Sequence, residues 1–135
     1  MRRPKSGSEV RLKAPEAAKT RQVLLLAVPG TQILDLVGPL QVFVRAAEIP
    51  RADAFAPRIY SVEVVTTQKG LLPTNCGLRL EGHGTYRQVR GPVDTLLIAG
   101  GAAVEDGMED AALIRWLHSM SSQVRRLGSI LYGIG

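Results

Sequence analysis

One cysteine, Cys76, is all the thiol the chain holds, and that scarcity excludes an internal disulfide framework and a multi-thiolate zinc site. Histidine is nearly as scarce. His83 and His118 would need a third ligand at suitable spacing to hold a metal, and none is evident. Long apolar runs are missing as well. Nothing approaches the ~18 consecutive apolar residues that span a bilayer. No apolar segment follows the first arginines closely enough to form a secretory signal. The expectation is a protein of the reducing cytoplasm, with no membrane segment, no metal and no cofactor.

Net charge is not scarce, but it is badly distributed. The 135 residues carry a formal +5. Residues 1–21 hold seven bases (Arg2, Arg3, Lys5, Arg11, Lys13, Lys19, Arg21) against Glu9 and Glu16, which already accounts for that +5. Residues 22–135 hold ten bases and ten acids and are neutral. The basicity that would point to nucleic acid therefore sits in a leader with two prolines, few large apolar residues and no period. Such a composition predicts a disordered tail. The neutral body, 22–135, has the length of one domain.

That body opens on Val23–Val28, an unbroken apolar run without charge, which suits a strand buried on both faces of a sheet. Pro29-Gly30 breaks it. Leu36, Leu40, Phe43 and Ala47 then recur at helical steps. The spacing predicts a helix with Gly38-Pro39 in its first turn and Asp35 near its start, ending before Pro50. Ile59–Thr67 is β-branched and predicts a second strand. Gly70–Tyr86 mixes short apolar pairs with turn-formers and predicts a hairpin or two short extended pieces. Val93–Ala99 predicts a third buried strand, closed by Gly100-Gly101. An acidic loop then leads to a helix with Glu109 and Asp110 in its first turn. Its stripe is Leu113, Trp116, Leu117, Met120 and Val124, and Arg125-Arg126 end it, a charge order that suits the helix dipole. Leu127–Leu131 begins a further strand.

Buried strands alternating with amphipathic helices imply an α/β, doubly wound parallel sheet. Ligands bind such sheets at the carboxyl ends of the strands. Here those ends are Pro29-Gly30, Gly100-Gly101 and Leu131-Tyr132-Gly133, with Asp35 on the adjoining helix.

Val28-Pro29-Gly30, the D-L-V-G-P-L-Q-V-F element (Asp35–Phe43), the extended TNCGLRL, the strand VDTLLIAGG and the final R-L-G-S-I together resemble the ThiJ/PfpI family of the class I glutamine-amidotransferase-like superfamily. Nearest in flavour is the amino-terminal domain of GlxA-type, AraC-family transcriptional regulators. The resemblance implies a flavodoxin-like sandwich. In it, a strand after R-L-G-S-I ends in a turn bearing a nucleophilic cysteine, usually C-T-G. It also implies an acid from the first helix (Asp35) beside that thiol, and an oxyanion held by N–H groups near Gly100 and Gly101. The sequence departs at the decisive place. Leu131 stands at the cysteine position and Tyr132 at the threonine, and only Gly133 matches. A single base inserted ahead of a Cys-Thr-Gly-Ser coding run would yield Leu-Tyr-Gly-Ile-Gly, as found at 131–135. A frameshifted or truncated copy is therefore one expectation.

The resemblance thus implies a non-enzymatic, sensor-like domain of an AraC-type regulator, incomplete at its carboxyl end. It would meet DNA only through an absent helix-turn-helix module. The alternative is an incomplete isonitrile hydratase- or amidase-like enzyme that lacks its nucleophile. Either would hold a small molecule in a pocket of Pro29, Gly30, Asp35, Gly100, Gly101, Leu131 and Tyr132, and an uncovered sheet would favour self-association. Taken singly, Asp35 also reads as an ordinary helix-start carboxylate. Cys76 reads as an ordinary small residue without chemistry, His83 as a turn residue and His118 as solvent-exposed. The Gly100-Gly101 pair reads equally as an anion-binding nest or a simple turn.

Overall fold

The computed structural model describes residues 20–49, 59–100 and 110–130. The leader before Thr20, Gly101, the acidic loop, Glu109 and the closing Leu131-Tyr132-Gly133 lie outside the described residues.

Strand β1, Arg21–Ala27, is the axis of the molecule. Val23 to Ala27 are all buried, with no alternation between faces. The reason is that β1 has a parallel partner on each side and a packed layer above and below. Helix α1 (Ile33–Glu48) follows, then β2 (Tyr60–Thr66). A short antiparallel hairpin comes next, β3 (Leu71–Pro73) with β4 (Arg79–Glu81). Then come β5 (Gly84–Thr85), a 3-10 turn at Tyr86–Gln88, β6 (Thr95–Ala99), α2 (Ala111–Ser121) and β7 (Arg126–Ile130). The main sheet runs β5-β2-β1-β6-β7, and every pairing in it is parallel. The fold is α/β, doubly wound and flavodoxin-like, as the alternation of strands and helices predicts.

The two faces of the sheet have separate cores. On one, Leu36 and Leu40 of α1 pack with Leu25, Ala27, Val64 and the hairpin's Leu72. On the other, the predicted α2 stripe (Leu113, Trp116, Leu117, Met120, Val124) packs with Leu24, Leu26, Val65, Tyr86 and Leu96. Each fully buried leucine contributes roughly 1.5–3 kcal/mol of transfer free energy. At β7 the outer edge has no strand partner among the described residues, and Leu127 there is exposed.

Three local expectations are corrected. Helix α1 starts at Ile33, so Gly38-Pro39 lies inside it rather than in its first turn. Pro39 therefore removes the N–H that would have bonded the Asp35 carbonyl. Asp110 is the N-cap of α2 rather than a first-turn residue: its carboxylate accepts from the N–H groups of Ala112 (3.0 Å) and Leu113 (3.2 Å). Helix α2 also stops at Ser121, so Arg125-Arg126 do not serve its dipole. Instead the Arg125 guanidinium grips Asp94 (Nε to Oδ1 2.7 Å, Nη2 to Oδ2 3.2 Å), and Arg21 reaches the same carboxylate at 3.2 Å. This cluster ties β1 and β7 to the residue just before β6.

Candidate functional site

The order of the strands locates the candidate site. From β1 the chain moves to β2 on one side and later returns to place β6 on the other, so the order reverses between β1 and β6. The carboxyl ends of that pair form the topological switch point, where open α/β sheets bind ligands.

Three segments meet there. Leaving β1, Gly30 turns at φ 81°, a left-handed conformation that suits glycine, and its N–H donates to the Pro73 carbonyl at 2.8 Å. Thr31 is fully buried. Its N–H donates to the Val28 carbonyl (2.9 Å) and its hydroxyl to the Gly100 carbonyl at 3.4 Å. The Gln32 N–H also donates to Gly100, at 2.8 Å. From the hairpin turn, Asn75 closes the junction: its N–H donates to the Thr31 carbonyl at 3.0 Å, and its Oδ1 accepts the Ile33 N–H at 3.1 Å. Its Nδ2 donates to Gln32 Oε1 at 2.9 Å. Helix α1 has no side-chain cap from its own N-cap residue, Gln32, so Asn75 supplies a cap from a distant loop.

Of the expected pocket residues, the Pro29-Gly30 loop, the start of α1 that bears Asp35, and Gly100 are brought together. Gly101, Leu131 and Tyr132 lie outside the described residues. Gly30 cannot offer its N–H to an anion, because Pro73 already takes it. Asp35 has one oxygen, Oδ2, that is buried and accepts no hydrogen bond among the described residues. Leaving such an acceptor unpaired costs roughly 1–3 kcal/mol, more if charged. Thr31, Gln32 and Asn75 were not signalled by the sequence. An asparagine in a turn is common, and its capping of a helix 42 residues away leaves no local trace.

The remaining candidates separate cleanly. Cys76 is exposed at the hairpin turn. A contact with the Thr74 hydroxyl (3.5 Å), then the backbone at Leu78, pulls its thiol below the ordinary range. It stands in a turn between two short strands, not between a strand and a helix. His118 is exposed, as expected. His83 is more than a turn residue: its N–H donates to the Val64 carbonyl (2.8 Å) and its Nδ1 accepts the Val64 N–H (2.9 Å). No cluster of metal-ligating side chains occurs among the described residues, and no helix there is long and apolar enough to cross a membrane. Cavities of about 340, 240 and 400 Å³ are present, none lined by Pro29, Gly30, Asp35 or Gly100.

No family model matches the sequence, and the search of curated proteins finds no relative. Solved structures do match. A ThiJ/PfpI family protein from Pseudomonas syringae superimposes with a TM-score of 0.68 at 18% identity, over 82% of this chain and 42% of its own. The fold is that of the ThiJ/PfpI proteins. Oxidized DJ-1 from Toxoplasma gondii gives 0.66 at 17% identity over 82% and 55% of the two chains. A candidate transcriptional regulator protein from Vibrio parahaemolyticus gives 0.62 at 20% identity over 82% and 56%. The chain thus spans about half the length of these neighbours.

Proposed function

We propose that the chain carries the amino-terminal part of an enzyme-derived ThiJ/PfpI-type domain, hydratase- or amidase-like in ancestry. In this reading it binds a small polar molecule at the switch point and performs no thiol chemistry. The observation that carries the proposal is the buried Oδ2 of Asp35, near the start of α1, which has no partner among the described residues. A lone acceptor of this kind is satisfied by a ligand that donates an N–H or O–H. The absence of chemistry rests on the position of the cysteine. A thiolate nucleophile in this fold family belongs on a strand-to-helix turn, where the resemblance places Leu131. Cys76 stands exposed on a hairpin instead.

Two measurements test the proposal. Incubation of the chain with isonitrile, amide and glyoxal substrates should give no turnover above buffer. Turnover lost in Cys76→Ser would overturn the reading. Titration with small primary amides should shift the backbone amide resonances of Thr31 and Gly100, and Asp35→Ala should abolish those shifts. An unchanged spectrum would remove the ligand role of the crevice.

A second reading, the sensor-like domain of an AraC-type regulator, is favoured by the Vibrio neighbour's description. The two readings differ in what flanks this fold. Coding sequence for a helix-turn-helix pair beyond Gly135 argues regulator, and a family-like cysteine turn followed by further strands alone argues enzyme.

A further inference from the structure

The sequence Gly82-His83-Gly84 has a job that the switch-point crevice does not use. A Cβ on Gly82 would sit 2.8 Å from the Val64 carbonyl oxygen and 2.9 Å from a Thr66 methyl, so only glycine lets the chain hug β2 here. That close approach is what brings His83 onto the backbone of Val64. With Nδ1 accepting the Val64 N–H, the neutral ring carries its proton on Nε2, a fixed donor. Gln88 is fixed in the same way. Its Oε1 accepts the Thr85 N–H (2.8 Å) and hydroxyl (3.4 Å), and it lies over Gly84, whose missing Cβ would stand 3.0 Å away. Among the described residues its amide bonds through the oxygen alone, which leaves the NH₂ group with two donors to give.

Both side chains line a cavity of about 340 Å³, open to solvent, between β1, β2 and the segment leading to β6. Its floor is apolar, with Leu24 and Val65 both buried. Its rim carries Glu63, which forms no ion pair among the described residues. The rim also carries Arg90, held in place by one nitrogen, Nη1, which donates to the carbonyls of Arg87 (3.1 Å) and Val89 (2.9 Å). One anion, one cation, two fixed neutral donors and an apolar floor converge on a volume fit for a small ligand.

We propose that this cavity, lined by Glu63, His83, Gln88 and Arg90, binds a free α-amino acid with an aliphatic side chain. The ammonium group meets the Glu63 carboxylate. The carboxylate meets Arg90 and the donors of His83 and Gln88. The aliphatic side chain lies on Leu24 and Val65. This site is separate from the switch-point crevice, so either can fail without the other.

The experiment titrates the full chain with L-leucine, L-leucinamide and 4-methylpentanoate while following the His83 and Gln88 side-chain resonances by NMR. L-leucine should give saturable shifts. The amide, lacking the carboxylate, and the acid, lacking the ammonium, should each bind about tenfold more weakly or worse, as the loss of a charge-assisted hydrogen bond implies. Glu63→Gln and Arg90→Gln alter exposed side chains and should weaken leucine by a similar factor. Glu81→Gln, on the adjoining cavity, should leave it unchanged. No saturable shift with L-leucine, or equal binding of the three probes, overturns the proposal even if a variant fails to fold.

Discussion

The two ends of the parallel sheet are built on opposite terms. At the amino end, one carboxylate, Asp94, is over-satisfied: it holds two arginines and the Thr95 hydroxyl (2.7 Å), and its backbone carbonyl accepts the N–H groups of Arg125 and Arg126. At the carboxyl end, neutral backbone groups and one asparagine make the junction, and Asp35 keeps a buried oxygen that accepts no hydrogen bond among the described residues. Charge pairing fixes the strands at the amino end. Among the described residues, the end at the switch point is held by groups that carry no net charge.

The largest effect is expected from removing the amino-end cluster. The Arg125 hydrogen bond is the first cause that holds the Asp94 carboxyl down, from 3.8 to about 2. A group depressed in the folded state contributes stability that is fully present above its unfolded value and is lost as pH falls through the folded one. The contribution should therefore be intact above about pH 4 and disappear between there and about pH 2. Asp94 is largely buried but both arginines are about half exposed, so screening reduces the effect to about 1–2 kcal/mol. Urea unfolding of Asp94→Asn should show that loss in full at pH 7 and only about a third of it at pH 2.5, just above the folded value. An equal loss at both would mean the aspartate acts through packing rather than charge.

A smaller effect is expected from the neutral junction. Asn75→Ala leaves the Ile33 N–H without its acceptor and should cost about 1 kcal/mol, the usual size of a lost helix cap. Asn75→Asp keeps that acceptor and loses only the donation to Gln32, so it should recover most of the loss. Thermal unfolding of the pair checks this. If Asp is no better than Ala, the cap is not what holds the start of α1.

These residues also mark how far the sequence could be read. The β1 run, the Leu36 and Leu40 stripe, the α2 stripe and the hairpin were legible because each is a local pattern that burial imposes on neighbouring residues. The start of α1 was not, because its cap arrives from Asn75, after the helix itself and the strands β2 and β3. Arg125 was misread for a related reason. A base after a helix stripe looks like a dipole partner, yet its true partner, Asp94, is 31 residues earlier and touches it only once β6 and β7 pair. Of the site, the glycine loop, the position of Asp35 and Gly100 could be inferred from topology. The residues that stitch them together could not, since a hydrogen bond between distant loops has no period.

The smallest effect should have the opposite sign, and it bears most directly on the site. Two opposing terms decide what Asp35→Ala does to stability. The carboxylate lies in the first turn of α1, where it favours the helix by about 0.3–1 kcal/mol. Its buried, unpaired oxygen costs roughly 1–3 kcal/mol of desolvation. Alanine also has the higher helix propensity. The desolvation term should win by a narrow margin, so the variant should be more stable by up to about 1 kcal/mol, in contrast to the loss on removing Asp94. A stabilised variant that no longer responds to small amides would show that the acid is retained for binding at the expense of the fold. A loss of about 1 kcal/mol or more would mean that Asp35 has a partner within the protein, and the contrast between the two ends of the sheet would fail.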